Sequence, residues 1–400
     1  MEARARLGPR LRSGWRSSRG LGQLRVALVH DWLTGMRGGE KCLEVLCRAF
    51  PDASIHTLIH DQGKLSPTIE GMTIHTSPLQ RVPGITRHYR HWLPLMPWAA
   101  RSWHVGDVDL VISLSHCVAK AVAVPAGVPH VCYCFTPMRY AWEGREAYLD
   151  GWSRRPVRRF LAGRLLDGLR SWDRATARGV THFVAISQTV RRRIAASYDR
   201  TSVVIPPPVA TDYYRPDPTQ RRDDFYLVVS ALVPYKRVDQ AVSACSELGK
   251  RLVVIGEGTE RPSLQRLAGP TVSFLGWQPD DVIRDHYRRC RALLFPGEED
   301  FGIVPIEALA CASPVLALRR GGVAETVDNA VGRVYEEPGA GPLAATIVAW
   351  EADGMPFDSA LARSRAECYA EDRFRGRLLG HLTDVVARRD LDRVPPAPHF

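Results

Sequence analysis

Three consecutive acidic residues between an apolar strand and a helix are the part of this sequence that most directly suggests chemistry. Glu298, Glu299 and Asp300 follow an apolar run that ends at Phe295. A helix is predicted to begin near Pro305, a residue suited to a first helical turn. The free amides and the dipole of such a turn attract an anion, but acids beside it would repel a bare phosphate. The segment therefore favours a ligand with both hydroxyls and phosphates, such as a sugar nucleotide.

Two glutamates of this segment are spaced to bind an elongated ligand. Glu299 lies in the loop and Glu307 in the helix, with seven residues between them, so they cannot form a pair on one helix face. They are better placed to accept hydrogen bonds at opposite ends of a ligand, from a transferred sugar and from a ribose. On spacing alone, two unrelated surface acids are the commoner explanation.

The composition is that of a folded protein of two or three domains. The 400 residues are 45% hydrophobic and 24% charged, which excludes general disorder. The longest apolar-leaning stretch, 108–135, contains charged residues, histidines and prolines, so it lacks the ~20 apolar residues of a membrane span. The nine cysteines form an odd number without paired Cys-x-x-Cys motifs, and no cleavable apolar signal opens the chain. We expect a cytoplasmic protein with reduced thiols.

The formal net charge of +11 comes almost entirely from arginine and is unevenly distributed. Residues 1–24 contain six arginines and one acid without apolar periodicity, so they are predicted to form a disordered basic tail. A transit-like segment and a start codon assigned too early remain alternatives.

A second basic region, 151–200, contains twelve arginines and three aspartates and includes an amphipathic helix. Its apolar residues at helical spacing are Phe160, Leu161, Leu165, Leu166, Leu169 and Trp172. The arginines then form a basic outer face, which suits an anionic membrane surface, a diphosphate-linked acceptor or a nucleic acid. A solvated arginine face without a partner is an equal alternative.

Strand and helix patterns alternate twice along the chain, which predicts two α/β units with parallel sheets. Strand candidates are 25–30, 54–59, 110–114, 130–135 and 182–186 in the first unit, and 225–230, 251–255, 272–275, 292–295 and 315–318 in the second. Between the units, residues 205–216 include four prolines, which excludes a helix or a central strand. The predicted divisions are a tail at 1–24, an N-terminal domain at 25–205, a linker at 206–216, a C-terminal domain at 217–370, a final helix returning to the N-terminal domain at 371–389 and a frayed end at 390–400.

The acidic segment also resembles the motif of a known enzyme family. The motif residues are Glu299, Phe301, Gly302, Pro305 and Glu307. Their pattern looks like the donor-site motif of retaining family 4 glycosyltransferases, which have the GT-B fold. The resemblance covers most of residues 25–385 and implies an α/β protein in which two Rossmann-like, doubly wound domains face each other across a cleft. It also implies a nucleotide-sugar donor, no cofactor and no metal.

The same resemblance assigns roles to individual residues. The implied catalytic residues are His116, Lys236 and Glu299. The implied donor-binding residues are Gly38, Gly39, Arg237, Gly256, Phe301, Gly302, Ile303 and Glu307. In the family, the glycine loop approaches the donor diphosphate, the lysine binds phosphate, and the histidine hydrogen-bonds the transferred sugar. Without the family, a lone histidine after a strand is more often a satisfied polar group, and a solvated lysine remains an alternative for Lys236.

One position departs from the family pattern. Many members have an arginine two residues after the first strand of the C-terminal domain, where this chain has Ala231. A phosphate contact is therefore lost or moved. Arg237, next to Lys236, is the substitute that the sequence suggests.

The amino-acid sequences of three segments, 30–41, 135–144 and 230–239, are most similar to those of bacterial O-antigen and exopolysaccharide mannosyltransferases. This resemblance implies transfer of a hexose, expected to be mannose from GDP-mannose, to a lipid-linked oligosaccharide or polysaccharide precursor with retained anomeric configuration. Acceptor-side candidates in the segment 135–144 are Arg139, Tyr140 and Trp142. The aromatic stretch 88–103 would meet the acceptor or the membrane, or else belong to the core. We expect no nucleic-acid partner, and a peripheral contact with anionic lipid at the inner face of the plasma membrane is an option.

Three rival functions make different demands on the sequence. A nucleotide-sugar epimerase of the same two-domain shape would bind similar donors but would need acid and base groups flanking the sugar. A nicotinamide dehydrogenase is disfavoured because no G-x-G-x-x-G follows the first strand. A non-catalytic basic module that binds nucleic acid would leave the segment 299–307 unexplained.

Overall fold

The computed structural model describes residues 21–150 and 156–392, which form two parallel β-sheets flanked by helices. The strands of the N-terminal domain are β1 (Val26–His30), β2 (Ser54–Thr57), β3 (Thr73–Thr76), β4 (Leu110–Ser115), β5 (His130–Cys134), β6 (His182–Ala185) and β7 (Ser202–Val204). Those of the C-terminal domain are β8 (Tyr226–Val229), β9 (Leu252–Ile255), β10 (Val272–Gly276), β11 (Ala292–Phe295), β12 (Val315–Leu318) and β13 (Gly332–Tyr335). The strand orders are β3-β2-β1-β4-β5-β6-β7 and β10-β9-β8-β11-β12-β13. The predicted pair of doubly wound α/β domains is confirmed.

Helices connect the strands and cover both faces of each sheet. In the N-terminal domain they are α1 (Gly38–Ala49), α2 (Pro67–Glu70), α3 (Ile85–His88), α4 (Met96–Ala100), α5 (Arg145–Asp150), α6 (Pro156–Thr176) and α7 (Gln188–Tyr198). The others are α8 (Val238–Glu247), α9 (Arg261–Leu267), α10 (Asp280–Arg289), α11 (Ile303–Ala310), α12 (Ala340–Ala352), α13 (Ser359–Glu367) and α14 (Glu371–Asp392). Across the two described stretches, every helix is too short or too polar to cross a bilayer.

The central strands are continuous apolar runs because both of their faces are covered. All residues of β1, β4 and β5 are buried. Successive side chains of a strand point to opposite faces of the sheet. Accordingly Val26 and Leu28 belong to a core shared with α1, α7 and α14, whereas Ala27 and Val29 belong to a second core with α4 and α6.

The strand order reverses between β1 and β4 in one sheet and between β8 and β11 in the other. In doubly wound sheets, ligands bind at the carboxyl ends of the strands at such a reversal. Asp31 directly follows β1 and His116 follows β4. Lys236 and Glu299 lie in the segments that follow β8 and β11. The topology therefore places the three implied catalytic residues at the two reversal points.

The last helix, α14, lies against the N-terminal domain. Arg48 of α1 forms an ion pair with Glu371, with 2.8 Å between Nη1 and Oε1. The ring of Phe374 packs edge-on against Tyr133 of β5, with 5.7 Å between the centroids. The chain therefore crosses between the domains twice, once after β7 and once at the start of α14.

The ends of the described chain differ from the sequence expectation. Residues 21–23 form a short 3-10 helix, and Leu21 and Leu24 pack against the core, so the predicted basic tail does not extend to residue 24. Residues 1–20 lie outside the described residues. Helix α14 continues to Asp392, into the predicted frayed end, and residues 393–400 lie outside the description.

Three strands, β3, β7 and β13, are absent from the sequence-based candidates. Each lies at an edge of its sheet. Most residues of β3 and β7 are exposed or half-buried, so neither strand has the apolar run that marks a central strand. Edge strands of this kind are specified by pairing with a neighbour rather than by their own composition.

Helix α6 forms as predicted, but its apolar residues do not share one buried face. Leu166 and Leu169 are buried in the N-terminal core. Phe160 and Leu161 are 68% and 60% exposed, and Leu165 is also exposed. The apolar residues of this helix are therefore buried in its second half and exposed in its first half.

Glycines allow the segment after β8 to pass close to its neighbours. Gly256 has φ 133, and a Cβ atom there would lie 1.9 Å from the carbonyl oxygen of Ser230. A Cβ atom on Gly297 would lie 2.7 Å from the carbonyl oxygen of Lys236. The backbone that carries Lys236 is therefore held between the loops that follow β9 and β11.

We predict that Gly256→Ala lowers the free energy of unfolding by at least about 2 kcal/mol, because the new Cβ atom clashes with backbone in a conformation that only glycine adopts readily. Urea unfolding followed by circular dichroism measures the change. The control is Gly380→Ala in α14, where a Cβ atom meets nothing within 4 Å. That variant should be stabilised by about 0.5 to 1 kcal/mol. Equal stability of the two variants would contradict the packing described here.

Candidate active site

Lys236 and Glu299 form an ion pair at the carboxyl edge of the second sheet. The distance between Nζ and Oε1 is 2.5 Å, and the side chains are 16% and 22% exposed. Lys236 ends a short 3-10 turn after β8, and Glu299 lies in the loop after β11. The structure therefore brings together two of the three implied catalytic residues.

Two consecutive glycines, Gly321 and Gly322, pack against the loop that carries Glu299. The amide of Gly322 donates to the carbonyl oxygen of Glu299 at 2.8 Å. Gly321 has φ 68, and a Cβ atom there would lie 2.2 Å from the same carbonyl oxygen. A side chain at either position would clash with the backbone of this loop, so the position of Glu299 requires both glycines.

The first turns of α1 and α11 face each other across the cleft between the domains. A Cβ atom on Gly38 would lie 2.6 Å from Cδ1 of Ile303. Helix α11 begins at Ile303, two residues before the predicted start, with Gly302 at φ 90 preceding it. Phe301 is buried and packs against Tyr369, with 5.3 Å between the ring centroids. Both helices direct their free amides and positive dipole ends to one region, which favours an anion there.

Glu307 lies in the second turn of α11 and is almost fully buried. Its carboxylate is 3.5 Å from Nζ of Lys41 in α1 and accepts a hydrogen bond at 3.1 Å from the hydroxyl of Tyr287. Burial raises the pKa of Glu307, although Lys41 and Tyr287 oppose this. Lys41 therefore links the N-terminal domain to the second glutamate of the motif.

His116 is oriented by Asp31, a fully buried acid. The distance between Nδ1 of His116 and Oδ2 of Asp31 is 3.0 Å. Trp32 packs edge-on against the imidazole, with 4.4 Å between the ring centroids. Because Nδ1 faces the carboxylate, Nε2 is the atom of His116 that can meet a ligand.

Asp31 also holds the loop that carries His116. Its two carboxylate oxygens accept hydrogen bonds from four consecutive amides at 2.6 to 3.0 Å. The donors are His116, Cys117, Val118 and Ala119. Burial alone would raise the pKa of Asp31, but the charge and hydrogen bonds of His116 outweigh burial and hold it well below the usual range. The loop thus depends on an ionised carboxylate.

Gly39 lies against a second buried histidine. A Cβ atom on Gly39 would lie 3.3 Å from Nε2 of His30 and 3.3 Å from Cζ of Phe135. His30 Nδ1 is 3.0 Å from the carbonyl oxygen of Trp32, and burial lowers the pKa of the imidazole. A side chain at Gly39 would therefore separate the glycine loop from the end of β1.

Two arginines of the N-terminal domain reach the acidic loop of the C-terminal domain. Arg139 and Arg193 each form an ion pair with Asp300, one on each carboxylate oxygen. Arg193 also pairs with Glu298 at 3.3 Å. Neutralisation from the opposite domain explains how three adjacent acids are tolerated in one loop.

The start of α7 forms a further contact between the domains. The hydroxyl of Ser187 donates to the carbonyl oxygen of Asp300 at 2.6 Å. The amides of Gln188 and Thr189 donate to Glu325 at 2.8 and 2.9 Å. A carboxylate at a helix N-terminus is stabilised by the helix dipole. The C-terminal domain thus supplies the acid that caps a helix of the N-terminal domain.

The remaining acceptor-side candidates lie near Arg139 but are held within the N-terminal domain. The indole of Trp142 donates to Asp173 at 2.8 Å, and Arg170 lies over its ring at 4.4 Å. Burial raises the pKa of Tyr140 to about 12, so its hydroxyl stays neutral at physiological pH. Among the three candidates, Arg139 is the one whose described ion pair crosses to the C-terminal domain.

Arg237 does not join the cluster around Lys236. It has a left-handed backbone conformation, and its guanidinium pairs with Asp239 at 3.1 Å. The side chain is 48% exposed. That Arg237 replaces the missing contact at Ala231 stays a prediction.

An Asp-x-Asp sequence, Asp107 to Asp109, lies far from the cleft. Arg25 pairs with both aspartates just before β1 and β4 begin. The amino ends of parallel strands lie at the edge opposite to their carboxyl ends. Asp107 and Asp109 are therefore paired with Arg25 at one edge of the first sheet, whereas His116 lies at the opposite edge.

Comparison with known proteins assigns the C-terminal domain to a family. Residues 213–369 match the family described as glycosyl transferases group 1. This domain is a group 1 glycosyl transferase domain. A solved structure titled Anabaena Alr3699/HepE in complex with UDP aligns with a TM-score of 0.67 and 15% identity, over 90% of this chain and 100% of that one. With both sheets covered, the fold is GT-B.

Curated relatives match over shorter regions. The chain is 30% identical over 209 residues to the GDP-mannose-dependent alpha-(1-6)-phosphatidylinositol monomannoside mannosyltransferase of Mycobacterium tuberculosis, covering 45% of this chain and 51% of the relative. It is 26% identical over 148 residues to the O-antigen chain mannosyltransferase RfbU of Salmonella typhimurium, covering 34% and 41%. The chain spans about half the length of the curated relatives it matches.

Sequence reasoning did not single out several residues of the cleft between the domains. Asp31, Lys41, Arg193 and Tyr287 hold the predicted residues in place, yet none was among the predicted site residues, although Asp31 and Lys41 lie in the family-like segment 30–41. The position of Asp31, an acid directly after a fully apolar strand, was a usable signal. Lys41 and Arg193 gave none, because their partners lie more than 100 positions away.

We predict that Asp31→Asn lowers the free energy of unfolding by about 3 kcal/mol at pH 7, because an amide cannot replace both charged acceptors of four buried N–H groups. The folded pKa of Asp31 is depressed, so its stabilisation is present above the usual aspartate value of about 3.9 and is lost as the pH falls below it. Urea unfolding at pH 7 and pH 3 measures both effects. The exposed Asp52→Asn is the control. A variant as stable as the wild type at pH 7 would show that Asp31 does not hold the His116 loop.

Proposed function

We propose that the protein is a retaining glycosyltransferase that moves a hexose from a nucleotide sugar to a hydroxyl of a lipid-linked oligosaccharide or polysaccharide precursor. The observation that carries this proposal is the Lys236–Glu299 pair, which faces the cleft beside the first turn of α11. We take mannose from GDP-mannose as the donor, because both curated relatives described above are mannosyltransferases and the name of one includes GDP-mannose.

The ion pair suits a ligand that has phosphates and hydroxyls together. Without a ligand, Lys236 and Glu299 neutralise each other. A bare phosphate would bind Lys236 but leave Glu299 as an unpaired, partly buried acid, which is unfavourable. A nucleotide sugar supplies the diphosphate for Lys236 and sugar hydroxyls that donate to Glu299. Both groups then exchange one partner for another.

The other end of the donor meets a similar exchange at Glu307. Its carboxylate is held by Lys41 and Tyr287 in a buried site. The ammonium of Lys41 is 3.5 Å from the carboxylate of Glu307, which is a long contact. Ribose hydroxyls can therefore replace this ammonium as hydrogen-bond donors to the carboxylate. The Glu299 and Glu307 carboxylates thus bind hydroxyls on the two sides of the diphosphate.

The transfer step breaks the bond between C1 of the sugar and the diphosphate oxygen and forms a bond from C1 to the acceptor oxygen on the same face. The acceptor proton passes to the departing phosphate oxygen. The leaving diphosphate gains charge, which Lys236 and the amides that begin α11 stabilise; each well-placed donor contributes roughly 3 kcal/mol. His116, with Nδ1 held by Asp31, presents Nε2 to position a sugar hydroxyl.

Purified protein should bind GDP-mannose and release mannose slowly in the absence of acceptor, and the panel to measure includes UDP-glucose and UDP-N-acetylglucosamine. Lys236→Ala and Glu299→Ala should each lower the turnover at least about 100-fold, since each removes a charge from the reacting region. The matched control is Lys250→Ala, because Lys250 and Glu351 also pair at 2.5 Å but outside the cleft. It should retain full turnover.

Two results would contradict this proposal. One is an absence of binding to every nucleotide sugar of the panel by the folded protein. The other is an epimerised nucleotide sugar as the product, which would indicate the epimerase alternative.

Among the described residues, no three histidine, cysteine or acidic side chains converge as a metal site. We propose that the transfer needs no metal, so the rate should be unchanged in EDTA.

We also propose that the first half of α6 contacts an anionic membrane that carries the acceptor. Val157, Phe160 and Leu161 are 70%, 68% and 60% exposed and recur at helical spacing. The exposed Arg158 and Arg164 flank them. Apolar side chains with arginines beside them suit the boundary between lipid headgroups and acyl chains.

Sedimentation with lipid vesicles tests this contact. The protein should bind vesicles that contain phosphatidylglycerol more strongly than vesicles of phosphatidylcholine alone. The double variant Phe160→Ser, Leu161→Ser should bind at least about tenfold more weakly, because each buried apolar side chain contributes roughly 1.5 to 3 kcal/mol. Leu267→Ser, at a position that is 46% exposed in α9, is the control. Equal binding by all three proteins would contradict a contact through α6.

A further inference from the structure

Arg139 of the N-terminal domain contacts Tyr235, the residue that precedes Lys236 in the C-terminal domain. Its guanidinium carbon is 5.0 Å from the ring centroid of Tyr235, and Nζ of Lys236 is 5.3 Å from the same centroid. Tyr235 immediately precedes Lys236 in the turn after β8. One aromatic ring therefore contacts a cation from each domain.

The side chain of Arg139 is held in this place from several directions. Burial opposes its charged form, but Asp300, Tyr235 and Glu299 together raise the pKa of the guanidinium. The carbonyl oxygen of Arg139 accepts a hydrogen bond from the amide of Gly144 at 2.8 Å, which closes the local turn. A Cβ atom on Gly144 would lie 3.0 Å from Cγ of Arg139. The arginine is therefore directed into the cleft by its own turn.

Arg139 can leave its present partner without stranding a charge. Asp300 binds Arg139 through one oxygen and Arg193 through the other. If Arg139 turns to another anion, Asp300 keeps Arg193 as a partner, which it shares with Glu143 and Glu298. The cost of the exchange is therefore smaller than that of breaking an isolated, part-buried ion pair.

A diphosphate in this cleft needs more positive charge than Lys236 provides. Lys236 is shared with Glu299, position 231 is an uncharged alanine, and Arg237 is paired with Asp239. A guanidinium can bind two phosphate oxygens at once, which an ammonium cannot do with the same geometry.

We infer that Arg139 binds the diphosphate of the donor from across the cleft, beside Lys236, and supplies the positive charge that position 231 lacks. This inference rests on the proposed function and adds a residue to its donor site. It differs from the sequence expectation, which places Arg139 with the acceptor. It also means that cations of both domains bind the donor.

The test measures the affinity of the purified full chain for GDP and UDP by isothermal titration calorimetry without acceptor. Arg139→Gln should bind the nucleoside diphosphate that the wild type prefers about 10- to 100-fold more weakly, as expected for the loss of a charged hydrogen-bonding pair. Arg139→Lys should fall between the two, because it keeps the charge but not the paired donors. Arg333→Gln, which removes a remote ion pair with Asp353, should bind as the wild type does.

Each outcome separates this inference from the proposed function. If the wild type binds neither diphosphate, the proposed function fails and takes this inference with it. If the wild type binds but Arg139→Gln binds equally well, only this inference is overturned; a raised KM for acceptor would then return Arg139 to the acceptor side. If Arg139→Gln does not fold, as judged by circular dichroism, Arg139→Lys decides: affinity equal to that of the wild type overturns the inference, and a severalfold loss supports it.

Discussion

Charge balance across the cleft is the constraint on which the rest of this structure depends. Three adjacent acids, 298–300, occupy a loop beside a buried fourth acid, Glu307, and such a cluster is unfavourable without cations. Lys236 supplies one from the same domain. The others come from the N-terminal domain, and they are Lys41, Arg139 and Arg193. The two domains are therefore complementary in charge at the place where their helix N-termini meet.

The same constraint limits the chemistry of the cleft. A ligand that enters must leave every acid and every cation with a partner, because both kinds of group are partly or fully withdrawn from water. A phosphate alone satisfies the cations, and a neutral sugar alone satisfies the acids. A molecule that joins the two satisfies both sets. This argument supports a nucleotide-sugar site independently of the family resemblance.

Local motifs and distant partners differ in how far the sequence predicts them. Glu299, Gly302, Glu307 and Lys236 belong to continuous segments that follow strands, so their resemblance to a family motif was enough to single them out. Asp31 acts on a loop about 85 positions away, and Lys41 on a glutamate 266 positions away. These long-range pairs depend on how distant parts of the chain pack together. The spacing of residues along the sequence does not predict that packing.

The fold shows the same division. Central strands were predicted because burial on both faces requires continuous apolar runs, whereas the edge strands β3, β7 and β13 lack such runs. Helix α6 was predicted from its periodicity, which says that a face is apolar but not what covers it. Its second half lies against the core and its first half is exposed.

A crystal structure of the protein grown with GDP-mannose tests the central claim most directly. We expect the diphosphate between the first turns of α1 and α11, with Nζ of Lys236 within hydrogen-bonding distance of a phosphate oxygen and sugar hydroxyls on Glu299. The account would be contradicted by a nucleotide sugar bound on another surface while the Lys236–Glu299 pair remains intact.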